Sequence, residues 1–312
     1  MPFLPVGGQA VIEGVMMRSP SRMAVAVRRP DGELAFLERP FTSITKRVKP
    51  LGWPVVRGAV SLFETIGLGV SALNFSAEEA TRAEDAAAGA KPSAGQQALQ
   101  FLTLGLSLVL GMFLFVVLPA RVTGALGFHD RLGFGLVDGL FRLLVFVLYL
   151  LLISQWKEMR RVLAYHGAEH KSIHAIESRA PLTPESVMTF SRLHPRCGTS
   201  FLFLVVVVSV VVFSFIGKPR GPGDHLLRIA CMPLIAGIAF EFVRLSGRHA
   251  GHAVVRVLTW PGLQFQRLTT REPDADMCAV AIAALERVRN DETVLRLEQA
   301  ADAGPGEMAF IQ

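Results

Sequence analysis

The sequence predicts a membrane α-helical protein: about four transmembrane helices, a small β-containing N-terminal part and a C-terminal helical tail, with both ends of the chain cytoplasmic. Three observations predict it. The 312 residues are 51% hydrophobic and 19% charged, with a mean hydropathy of +0.41, more apolar and less charged than soluble domains at ~45–50% and ~25%. The apolar residues concentrate in four runs within residues 101–245. Basic residues concentrate in a single loop between the second and third runs, the asymmetry that orients membrane helices.

Residues 1–98 read as a cytoplasmic unit. Arg22–Pro40 holds two alternating runs joined by Arg29-Pro-Asp-Gly32, and Asp-Gly between alternating runs signals a hairpin. Ala10–Met17 is expected as a third strand. Val55–Phe75, with Arg57, Glu64 and several glycines, reads as an amphipathic or shallow membrane helix, and 76–98, rich in Ala, Glu, Gly and Ser, as a mobile linker. No basic region followed by an apolar run opens the chain, so no signal peptide is expected.

Residues 99–245 form the expected membrane domain of a bacterial inner-membrane protein. Its spans are Phe101–Pro119, Leu136–Ile153, Ser200–Ile216 and Leu226–Leu245, each near the length that crosses a bilayer. The loops after the first and third runs carry only Arg121 and Arg131, and Lys218 and Arg220. The middle loop, 154–199, carries Lys157, Arg160, Arg161, Lys171, Arg179, Arg192 and Arg196 and is therefore assigned to the cytoplasm. In 246–312, Asp274 is the expected N-cap of a helix running to Arg289. Cys197, Cys231 and Cys278 form no paired motif, which argues against a disulfide framework and for a reducing face. The net charge of +6 is assigned to loops beside lipid. Nucleic acid is not expected as a partner, because the Lys46, Arg47, Lys49 cluster lacks interleaved aromatics.

The sharpest local feature is Tyr165-His166-Gly-Ala-Glu169-His170-Lys-Ser-Ile-His174-Ala-Ile-Glu177. On a helix the three histidines share one face. His-x-x-Glu-His is the inverted zincin pattern: two imidazole ligands and a carboxylate base. Neutral imidazole suits zinc, a catalytic zinc site takes three protein ligands, and Glu169 is placed to accept a proton from water. A solvated helix with ordinary surface histidines is the competing reading. His194-Pro-Arg196-Cys197 offers further ligands, or else a turn with Arg196 at lipid phosphates. Glu241 in the fourth run is either the third ligand or the ion-pair partner of Arg244. Glu13, after the Gly7-Gly8 pair, is a base, a ligand or a plain edge charge, and His174 is an accessory. His249 and His252 rank lower, Asp138 and Arg142 form a structural couple, and Cys231 and Cys278 are packing residues. A straight extension of the second span would carry His166 about 20 Å past Ile153, so Gly167 or the stretch before it is expected to break the helix.

Gly7–Arg18, Tyr165–Lys171, His194–Ser200 and Leu268–Asp274 together resemble the bacterial YqhQ-like family of uncharacterised membrane proteins, described as predicted metal-dependent enzymes. The resemblance runs along nearly the whole chain. It implies a multi-span inner-membrane protein and a metal, without a defined substrate. One departure is Phe240, where the family more often has tyrosine before the glutamate. The resulting expectation is a divalent metal, zinc by ligand type, at His166 and His170 with a third ligand from Glu241, His194 or Cys197, hydrolysing a membrane-associated substrate. The alternatives are a docking platform for a protein partner, with structural histidines, and a small transporter using Asp138, Arg142 and Glu241.

Overall fold

The computed structural model describes residues 6–88, 94–128, 130–194, 197–248 and 252–290. Four antiparallel strands, β1 (Gly7–Val11), β2 (Gly14–Arg18), β3 (Arg22–Arg28) and β4 (Leu34–Pro40), form a meander in sequence order. The Asp-Gly hairpin is present, with Arg28 opposite Leu34 and Gly32 at φ +90°. The single expected strand at Ala10–Met17 is instead two. The chain reverses at Ile12-Glu13, where Glu13 takes φ +51° and Val11 pairs with Gly14. A Cβ on Gly14 would strike the carbonyl of Ala26 on β3, so glycine lets the reversal sit against the sheet.

Both faces of the sheet are covered. Val15, Met17, Ala24 and Ala26 pack on one side against helices α6 (Lys157–Glu177) and α12 (Ala275–Arg289). On the other side Val11, Met16, Met23, Val25 and Val27 meet Leu68, Ala72 and Phe75 of α2 (Val56–Ala88). A short helix α1 (Ile44–Arg47) precedes α2, and its Ile44 N–H donates to Glu64. Residues 76–88, expected as a linker, continue α2. Their alanines and glutamates are strong helix formers, and Glu79 holds Arg29 of the sheet at 2.5 Å. Residues 89–93 lie outside the described residues, and 94–98 open the next helix.

That helix, α3 (Ala94–Met112), continues through a π-helical stretch, Phe113–Val117, into α4 (Leu118–Ala125). Pro119 has no N–H and its ring crowds the carbonyl one turn back, and the wider π turn absorbs the mismatch. The first apolar run therefore ends at Ala125 rather than Pro119. Helix α5 (Arg131–Ile153) starts on the Asp130 carboxylate, which accepts from the Gly133 N–H at 2.6 Å. It then packs on α8 (Gly198–Ile216), with α7 (Pro184–Met188) intervening in sequence. A Cβ at Gly135 or Gly139 would overlap Ser214 or Val210 of α8, so this small-xxx-small pair brings the two backbones together.

Beneath that contact Asp138 accepts from Arg142 at 3.1 Å and from Arg228 at 3.4 Å, and Arg228 also donates to the Gly217 carbonyl at 2.8 Å. The expected couple is thus a triad, with Arg228 completely buried. Arg228 belongs to α9 (Pro222–Ala230), which kinks at Cys231 into α10 (Met232–Arg248). Pro233 cannot supply the N–H that would carry one helix smoothly into the other. Helix α11 (Ala253–Thr269) lies along α8, with Phe265 stacked on Phe146 of α5 at 5.9 Å. The region after 245 therefore starts within the bundle and not as a separate tail.

Among the described residues, four helical stretches are long and apolar enough to cross a membrane: Val56–Thr81, Gly105–Ala125, Arg131–Ile153 and Pro222–Ser246; Phe201–Ile216 is apolar but shorter. On α5 the exposed side chains Leu132, Leu136, Leu140, Leu144, Leu148 and Leu152 recur every fourth residue. The stripe is about 30 Å long, the thickness of a bilayer hydrocarbon core.

Helix α5 breaks at Ser154–Trp156, and α6 sets off from there. The break precedes the histidines, and Gly167 lies unbroken inside α6. Its missing Cβ makes room for the carbonyl of Arg271, in the segment leading to α12. The Asp274 carboxylate caps α12 by accepting from Met277 N–H at 2.8 Å. Asp274→Ala is expected to lower stability by about 1 kcal/mol, read as a shifted unfolding midpoint with an unchanged denaturant slope. Cys278 on this helix is fully buried and its thiol is pushed up to about 11 by desolvation. It packs as expected and is expected to resist alkylation until the protein unfolds.

Candidate metal centre

Helix α6 carries His166, Glu169 and His170 on one face, and Cys197 sits immediately before α8. One ligand atom each from His166, His170 and Cys197 lies within 4.8 Å of the others. Both histidines use Nδ1 on backbone carbonyls. His166 Nδ1 is 2.7 Å from Thr269 O, at the end of α11, and His170 Nδ1 is 2.6 Å from Arg192 O. Such a bond places the proton on Nδ1 and leaves the Nε2 lone pair directed elsewhere. His166 Nε2 faces the Cys197 Sγ at 3.2 Å, and His170 Nε2 is buried without a hydrogen-bond partner. Burial holds His170 below its usual pKa despite the opposing influence of Cys197, so at neutral pH it is an uncharged imidazole, the form that binds metals.

Glu169 is almost fully buried, with its carboxylate 3.9 Å from His166 Nε2. Desolvation raises its pKa, against the opposing pull of His166, His194 and a hydrogen bond from the Gly8 backbone N–H. Gly8 must be glycine here, since a Cβ would stand 2.6 Å from the Met16 carbonyl oxygen on β2 and 2.9 Å from Glu169 Cγ. Strand β1 thus roofs a cavity of about 100 Å³ whose walls include Gly8, His166, Glu169, His170, His194 and Cys197.

A second group, His174, Glu177 and His194, also has its ligand atoms within 4.8 Å. In it His194 Nε2 meets Glu177 at 3.3 Å, and His174 Nε2 meets Leu193 O at 2.9 Å. Gln266 clamps the His194 backbone, accepting from its N–H at 2.8 Å and donating to its carbonyl at 2.7 Å. Burial lowers the His194 pKa to about 4. The His194 ring lies tilted between those of His174, 4.4 Å away, and His170, 5.8 Å away.

Of the residues singled out from sequence, His166, His170, Cys197, Glu169 and His194 converge, with His174 behind His194. Glu241 does not join them. Its carboxylate is taken by Arg57, whose Nε donates at 2.7 Å, and by the Val55 N–H at 3.3 Å. The sequence reading missed this pair because Arg57 is 184 residues away. Arg244 is one turn beyond Glu241 on the same helix and away from the centre. Glu13 is held by Arg161 and by the Tyr165 hydroxyl at 3.3 Å, fastening the β1–β2 reversal to α6. Arg196 and His249 lie outside the described residues, and His252 is the exposed N-cap of α11. Three supporting groups received no role from the sequence. Glu177 was legible, three residues after His174 on the same helical face. Gln266, an amide within an apolar stretch, was a weaker signal, and the Gly8 contact has no local signal.

A profile of the family described as "Protein of unknown function (DUF1385)" matches residues 53–291. The chain belongs to this family. The DUF1385 match takes in every helix from α2 to α12 and all the converging side chains, but starts after the sheet. The chain is also similar to the "Uncharacterized protein YqhQ" of Bacillus subtilis (strain 168), with 32% identity over 311 residues, covering 94% of this chain and 92% of the relative. That similarity takes in the sheet as well, in line with the resemblance seen in the motifs. No solved structure matches the chain.

Proposed function

We propose that the protein is a multi-span inner-membrane metalloprotein, a zinc-dependent hydrolase acting on a membrane-associated substrate at the cytoplasmic surface. The observation that carries the metal reading is the donor set: two imidazoles, His170 buried and His166 half-buried, with Nδ1 committed to carbonyls, and a thiol beside them. Two nitrogens and a sulfur suit zinc, and three protein ligands leave a position for substrate or water. Zinc held by His166, His170 and Cys197 would supply Lewis acidity towards a water or carbonyl oxygen. Glu169, buried beside His166, accepts the proton of the attacking water. His194 and Glu177 wall the cavity and hold its shape, and the Gly8 N–H orients the Glu169 carboxylate. The substrate group that enters is small, in keeping with a cavity of about 100 Å³.

The α5 leucine stripe supports membrane insertion. The proposed crossings are α3–α4, α5, α8 and α9–α10, which put both termini on the side of the basic middle loop. Val56–Thr81 is sufficiently apolar to cross, but Leu68, Ala72 and Phe75 cover the sheet and Arg39 reaches Ser71. Helix α2 is therefore assigned to the membrane surface.

Metal analysis of the purified full-length protein tests the reading. About one zinc per chain is expected, lost in a His166→Ala/His170→Ala double variant and retained in Glu241→Gln. A protein that folds with no stoichiometric metal would leave the histidines structural and turn the centre into part of a docking platform.

A further inference from the structure

At the end of the helical bundle opposite the metal centre, α4, α9 and the loop before α9 enclose a cavity of about 690 Å³. Four cationic or titratable side chains line it: Arg121, Lys218, Arg220 and His225. No carboxylate does. The nearby Asp224 accepts from the Arg220 backbone N–H at 2.6 Å, leaving the guanidinium outside that bond. Arg121 makes no hydrogen bond or ion pair among the described residues. His225 Nδ1 is buried without a hydrogen-bond partner. Deeper in the bundle, Asp138 faces two arginines, Arg142 and Arg228, so the interior behind the cavity adds positive and not negative charge.

This end of the protein is poor in basic residues. Its two loops carry Arg121, Arg131, Lys218 and Arg220, and three of these four open onto one cavity. Charge spread only for solubility would not converge in this way. The remaining wall is apolar, with Val117 and Ala120 from the π-helical stretch and α4 facing Leu226 of α9. A cationic mouth above an apolar wall, at the end of helices long enough to span a bilayer, matches an amphiphile with an anionic head.

We propose that this cavity binds the phosphate-bearing headgroup of an anionic membrane lipid. Arg121, Lys218 and Arg220 hold the phosphate, His225 adds a hydrogen bond, and the acyl chain lies along Val117, Ala120 and Leu226. Arginine suits the task through its forked donors. The site rests on the membrane insertion proposed above and is independent of the metal centre.

The test reconstitutes the full-length protein in phosphatidylcholine vesicles with phosphatidylglycerol as a minor component. The protein is then extracted in mild detergent and the co-purifying lipid is quantified. Phosphatidylglycerol is expected to be enriched over its bulk proportion. Arg121→Gln/Arg220→Gln, at two exposed positions, is expected to cut that enrichment roughly 30-fold, while the corresponding lysine pair keeps most of it. Excess inorganic phosphate is expected to leave the lipid in place. Enrichment that is absent, or unchanged in the glutamine variant, would overturn the site. Displacement by inorganic phosphate would assign the cavity to a soluble anion instead. Failure to enter phosphatidylcholine vesicles at all would overturn the membrane insertion on which the site rests, a separate result from lost selectivity.

Discussion

Glu169→Gln is expected to keep its zinc and to lose hydrolytic rate by about 10²–10⁴-fold, the usual contribution of a general base. Glutamine has nearly the shape of glutamate, and its amide oxygen still accepts the Gly8 N–H. It cannot accept a proton. A small activated ester, sized for the cavity beside the histidines, serves as a probe of the zinc-loaded protein in detergent. His170→Ala is the contrasting variant, since it removes a ligand whose Nε2 is buried without another partner and is expected to lose both metal and rate. A Glu169→Gln protein that hydrolyses at the parental rate would remove Glu169 from the chemistry. One that loses zinc would make it a ligand.

Asp138→Ala is expected to be the most destabilising single substitution in the helical bundle. Asp138 is the acid shared by Arg142 and Arg228, and all three are buried. Removing it leaves two guanidiniums facing one another without an acid between them. Breaking a buried ion pair on one side costs about 3–5 kcal/mol. Both guanidiniums also lie 4.8 Å from the Phe213 ring, a contact that offsets little of the loss. Replacing all three together, with methionine for each arginine, should recover most of the stability, because no charge then remains to be solvated. Equilibrium unfolding in detergent measures both. A loss below 1 kcal/mol for Asp138→Ala would show that water or lipid phosphate reaches the triad.

The features legible in the sequence are those with a short period. Four apolar runs, the Asp-Gly hairpin, the Asp274 cap and the histidine face each declare themselves within a few residues, because helix and strand geometry repeats at that scale. Cys197 was legible as a candidate for the cluster by its residue type and its place before an apolar run, and it does lie beside the two histidines. The misreadings share a cause. Glu241 looked available because an acid in an apolar run demands a partner, and that partner, Arg57, is remote in sequence. Residues 76–88 looked like a linker because their small and acidic residues suit either a helix or a coil, and only the sheet lying against α2 decides between them. Of the two places where the helix was expected to break, the stretch before Gly167 is the one that does, and Gly167 supplies space for the Arg271 carbonyl. Arg228 could not be joined to Asp138 before α5, α8 and α9 were seen to meet.

The placement of β1 carries a consequence for biosynthesis. The strand that roofs the histidine cavity leaves the ribosome before every described helix. The helix that closes the sheet's other face, α12, follows the other described helices, and α6 emerges between them. On the proposed insertion, the strands wait beside the membrane while the intervening apolar helices enter it, with α2 as their early cover. Pairings this distant in the chain form slowly. Zinc loading should accordingly follow completion of the chain, and truncation before Ala275 should yield inserted helices with an open centre that holds metal poorly.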